Sequence, residues 1–78
     1  MKTEYRFIHF EDMTCEGDKH LTFNCYNTKH GDSLGLVSWL KEWKQHVFIP
    51  SDRTEFSADC LRDICDFMEQ LAPKIGRY

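Results

Sequence analysis

No apolar run in this chain approaches the roughly 20 residues that span a bilayer. The N-terminal stretch, acidic by Glu11 and Asp12, also has no continuous apolar segment of the signal-peptide kind. Both absences point to a protein that stays in the cytosol of the cell that makes it. Positive charge is short as well: ten Lys and Arg against 13 Asp and Glu leave a net charge of -3. Holding long duplex nucleic acid by bulk charge needs many phosphates neutralised, and this balance argues against it. Cys-x-x-Cys is missing, so Cys15, Cys25, Cys60 and Cys65 read as free thiols in a reducing cytosol. With four histidines they permit a zinc site without specifying one. A Gly-rich phosphate loop, a nucleophile elbow and a His-Glu-x-x-His motif are all lacking. No enzyme, metal or cofactor is therefore expected.

What is present is enough for one small domain spanning residues 1–78. A chain this short buries only about 60% of its unfolded surface, which makes association with copies of itself a fair expectation. Tyr5 to Phe10 alternates as a first strand. Glu11 to Lys19 is a polar connector, and Leu21, Phe23 and Cys25 mark one face of a second strand over His20 to Thr28. Thr28 to Asp32 supplies a hairpin loop, with Gly31 the natural place for a positive φ.

After Pro50, Ser57 is suited to cap a helix, with Asp59 in the first turn where the macrodipole favours an acid. Leu61, Ile64, Cys65, Met68, Leu71 and Ala72 recur at helical spacing. Asp59, Asp63, Asp66 and Glu69 lie opposite them and read as an ordinary solvated face, not as the paired carboxylates of a hydrolase. Pro73 ends this helix, and Lys74 to Tyr78 forms a short tail.

Between these parts lies Leu34 to Pro50, which holds both tryptophans. Leu36, Trp39, Leu40, Trp43 and Val47 fit a helical stripe, whereas the flanks are rich in β-branched and aromatic residues, so periodicity leaves helix and hairpin both open. As strands, they run from Ser33 to Leu40 and from Trp43 to Ile49. Lys29 to Arg53 carries four Lys or Arg and two histidines against three acids, whereas Glu55 to Glu69 has five acids and one Arg. The middle of the chain is the plausible anion face. An indole beside a cation suits a flat anionic ligand, the ring stacking on a base and the cation meeting phosphate. Trp39, Trp43, Lys44, His46 and Arg53 are the candidate ligand contacts.

This stretch resembles the signature of a small family of phage and prophage proteins, Leu-Gly-x-Ile-x-Trp-Tyr-Gly-Pro-Trp-Arg-Gln-Tyr-x-Phe-x-Pro. Leu34, Gly35, Trp39, Trp43, Gln45, Phe48 and Pro50 match it, and Thr54, Phe56, Cys60, Leu61, Ile64, Phe67 and Leu71 fit its C-terminal half. The likeness covers roughly residues 21 to 72. The family's Gly-Pro falls on Lys41 and Glu42, and such a step breaks a helix but suits a turn, so the resemblance favours strand, turn, strand. Lys44 stands for Arg, losing a planar fork, and His46 stands for Tyr.

The expected fold is α+β: an antiparallel sheet of about four strands with one C-terminal amphipathic helix on one face. The resemblance further implies phage counter-defence in the host cytoplasm, with a link to proteins that sequester small cyclic oligonucleotide signals between protomers. Two other readings stand beside it. One is a protein-interaction module docking through the open sheet face; the other, weaker, is a single-stranded nucleic-acid binder.

Overall fold

The computed structural model describes residues 1–72. Four strands, β1 (Ile8–Asp12), β2 (Phe23–Asn27), β3 (Ser33–Leu40) and β4 (Gln45–Pro50), precede one helix, α1 (Ala58–Glu69). The strands form one antiparallel sheet in the order β1-β2-β3-β4. This is the expected α+β arrangement, and the stretch from Leu36 to Val47 is a hairpin. No helix among the described residues is long and apolar enough to cross a membrane. Pro73 and the tail expected from Lys74 to Tyr78 lie outside the described residues.

Alternation along the strands sends one set of side chains toward α1. Ile8, Phe10, Phe23, Cys25 and Val37 from the sheet meet Ile64 and Phe67 from the helix, and all seven are buried. Phe67 lies at the centre: its ring stacks on Phe10 with centroids 3.8 Å apart and meets Phe23 edge-on at 4.9 Å. Ser57 caps α1, its hydroxyl accepting from the Cys60 N–H at 3.2 Å, with Asp59 in the first turn.

The buried stripe of α1 is Ile64 and Phe67, with Cys60, Met68 and Leu71 packed beside them. Leu61, 52% exposed, and Cys65 are turned outward, so the helix is rotated from the stripe that its spacing suggested. Phe67 has the larger apolar area to bury, and its ring fits between Phe10 and Phe23.

Three strands also differ from expectation at both ends, most at their starts. β1 starts at Ile8 because the chain bends at Arg6 and Phe7: the Tyr5 N–H donates to the Ile8 carbonyl at 2.9 Å, and Thr3 O accepts from Phe10 N at 2.8 Å. The N-terminal segment thus folds back and covers the outer edge of β1, with Glu4 bridged to His9. β2 starts at Phe23 because His20 and Leu21 leave the sheet to meet Trp39 and His46. β4 starts at Gln45 because Trp43 and Lys44 belong to the turn.

The connector between β1 and β2 is tied across its base, where the Thr22 N–H donates to Thr14 Oγ1 at 2.9 Å and the Met13 N–H to the Thr22 carbonyl at 2.7 Å. Hydrogen bonding from Thr14, side chain first and backbone second, holds the Asp12 carboxyl below its usual range.

Candidate functional site

The β3–β4 turn presents the first part of the candidate site. Leu40 pairs with Gln45, so Lys41 to Lys44 make a four-residue loop. Trp43 N–H donates to Leu40 O and Lys44 N–H to Lys41 O, each at 3.2 Å. Lys44 takes the left-handed conformation, φ 53°, that closes this turn in place of a glycine. Trp43 is 65% exposed and stands between Lys41 and Lys44 along the turn. Neither lysine is held in an ion pair among the described residues.

Beneath the turn, on the helix side of the sheet, Trp39 and His46 are register partners. Their rings meet edge to face, centroids 5.4 Å apart at 78°, and the His20 ring stacks on the Trp39 indole at 3.7 Å and 6°. His46 Nε2 donates to the Leu21 carbonyl at 2.8 Å, which fixes a proton on that nitrogen because a carbonyl only accepts. Nδ1 is buried with no hydrogen-bond partner among the described residues. Neither ring nitrogen of His46 is therefore open in this conformation. The ring instead braces Trp39.

Arg53 is not part of this group. It follows the other end of β4, in a left-handed conformation with φ 59°. Six residues of strand separate it from Lys44, roughly 17 Å at about 3.3 Å per step. Of the five residues that the sequence pointed to, the fold gathers Trp39, Trp43, Lys44 and His46 at one end of the sheet and leaves Arg53 at the other.

A different hollow opens at that other end, where β1 begins and β2 finishes. Its volume is about 410 Å³, and Arg6, Phe7, Asn27, Thr28, Lys29 and His30 line it. The Arg6 guanidinium lies over the Phe7 ring, 5.0 Å from its centroid. Sequence reading missed this place because Arg6–Phe7 and Thr28–His30 are far apart in the chain, and only the β1–β2 pairing brings them together.

The open face of the sheet carries the His9–Tyr26 stack, centroids 5.4 Å apart, and Leu36, Val47 and Ile49 of the β3–β4 hairpin. Ile49 is 52% exposed. The four cysteines are free thiols, and no group of His, Cys, Asp or Glu among the described residues is arranged to hold a metal ion.

The chain matches no family model, no curated protein and no solved structure. Any functional reading must therefore be carried by the geometry.

Proposed function

We propose that this protein binds a small cyclic oligonucleotide without cleaving it, and so acts in phage counter-defence by withholding an immune signal in the host cytoplasm. The observation that carries the reading is Trp43, two-thirds exposed on a hydrogen-bonded turn with Lys41 and Lys44 on either side. Apolar area of that size is normally buried, and an outward indole offers a stacking platform worth about 1–3 kcal/mol per base. The lysines supply point charges for phosphate, without the bidentate fork of an arginine.

A single protomer offers half of such a site. The N-terminal segment covers the edge of β1, whereas among the described residues no strand pairs with the outer side of β4. Ser51 N–H points inward to Leu34 O, so by antiparallel alternation the N–H groups of His46 and Phe48 point outward. Pro50 occupies an outward position too, where a missing N–H is tolerated.

A second copy pairing antiparallel about a two-fold axis at Phe48 would satisfy these groups, with reciprocal bonds at Phe48 and from His46 N–H to Pro50 O. On this reading the ligand is held at the junction of two protomers.

The experiment is a thermal-shift screen of the full chain against cyclic di- and trinucleotides, with Trp43→Ala and Lys44→Ala as controls. A ligand at a hundred times its dissociation constant adds about 2.7 kcal/mol of apparent stability. Both variants should lose that gain, and the ligand recovered after heat denaturation should be intact.

The apolar residues of the open sheet face favour one other reading, docking on a host or phage protein. In that case no nucleotide shifts the melting temperature, and pull-down retrieves a polypeptide.

A further inference from the structure

The hollow at the opposite end of the sheet has a chemistry of its own. Three of its six lining residues, Arg6, Lys29 and His30, bear cationic or titratable nitrogen, a fourth is the half-exposed ring of Phe7, and none is an acid. In a chain of net charge -3 such a grouping is locally unusual. Neither Arg6 nor Lys29 forms an ion pair among the described residues.

The walls are held by backbone bonds. Asn27 Oδ1 accepts from the N–H groups of Lys29 and His30 at 2.9 and 3.0 Å, and Gly31, at φ 77°, donates to Asn27 O at 2.7 Å. Thr28 N–H donates to Phe7 O at 3.0 Å, which ties the loop to the Arg6–Phe7 bend. Thr28 Oγ1 also meets His9 Nδ1 at 3.1 Å. The loop is therefore fixed, and its backbone N–H groups at Lys29 and His30 are already used. Recognition falls to the side chains: cations for an anion, and the Phe7 ring with its overlying guanidinium for a flat group.

We infer that this hollow is a second ligand site, separate from the Trp43 turn, that takes a phosphate monoester carried on a planar aromatic ring, as in a mononucleotide. Arg6 and Lys29 hold the phosphate, Phe7 packs against the ring, and His30 closes the rim.

The test is a titration of ¹⁵N-labelled full-length protein with adenosine monophosphate, ribose 5-phosphate and inorganic phosphate. The account expects saturable shifts of the amide signals of Arg6, Phe7 and Thr28 to His30 with adenosine monophosphate, while those of Lys41 to Lys44 stay in place. The two ringless probes should bind about tenfold more weakly, and Arg6→Ala and Lys29→Glu should each weaken the mononucleotide by about tenfold or more. Phe7→Leu should remove its advantage over ribose 5-phosphate. All three positions are exposed, so a dispersed spectrum of each variant shows an intact fold. Shifts that do not saturate, shifts centred on the Trp43 turn, equal affinity for all three probes, or unchanged binding in Arg6→Ala and Lys29→Glu would overturn the inference.

Discussion

His46 and Leu21 are joined by a 2.8 Å hydrogen bond from the imidazole Nε2 to the main-chain carbonyl, and this bond draws the chain before β2 against the β3–β4 hairpin. It makes His46 a brace for Trp39. His46→Ala removes both ring and donor, and should cost about 1–2 kcal/mol, a net hydrogen bond plus lost packing. His46→Phe keeps the ring and also removes the unpartnered Nδ1. It should stay within about 1 kcal/mol of the natural protein in urea denaturation, and nucleotide affinity should survive the change.

Gly35 is required by space. It is buried on β3 opposite Pro50, and an added Cβ would stand 2.5 Å from Phe48 Cζ and 2.7 Å from the Ile49 carbonyl oxygen. Gly35→Ala should therefore destabilise by about 1–3 kcal/mol, although alanine is the less flexible residue. Trimming the neighbour in Gly35→Ala/Phe48→Leu should recover part of the Phe48 clash but none of the backbone one, which a double-mutant cycle would show.

The rotation of α1 separates two residues that the sequence treated differently. Phe67→Ala should cost about 3–5 kcal/mol, most of the stability available to so small a domain. Leu61→Ala, on the outward face, should change it by no more than about 0.5 kcal/mol. Comparable losses at both sites in denaturant titration would place the helix in the other orientation.

The order of the elements was legible because alternation and helical spacing are local signals. Ser33–Leu40 was bounded as observed, and Ser57 caps the helix. Where the reading slipped, long-range contacts had overridden local pattern. Tyr5 left the first strand to hydrogen-bond Asp66 of α1 at 2.8 Å, and His20 left the second to stack on Trp39. The candidate site was half legible for the same reason: Trp39, Trp43, Lys44 and His46 lie within one hairpin, whereas Arg53 and the Arg6–Phe7 hollow are positioned by the sheet as a whole.

Alkaline pH should weaken the fold through Cys25. Burial first, and the neighbouring Cys60 second, push its thiol from 9.0 up to about 12. Between these values the unfolded chain has lost the proton and the native chain keeps it, so stability is full below pH 9 and falls as pH rises, by roughly 1 kcal/mol per pH unit. Burial, and then the hydrogen bond to Asp66, raise the Tyr5 hydroxyl in the same direction. Melting curves from pH 8 to 11 should show the decline, and Cys25→Ala should flatten it. Thiol labelling at neutral pH should modify exposed Cys15 and Cys65 before Cys25.

The account turns on whether the indole of Trp43 meets the ligand. In Trp39→Phe it is the one remaining tryptophan of the chain, so its fluorescence reports on the turn alone. Titrating this variant with the cyclic nucleotides that raise the melting temperature should quench the emission saturably, with the quench weakened in the added background of Lys44→Ala. Emission that stays constant while those nucleotides still stabilise the fold would contradict a site at the β3–β4 turn.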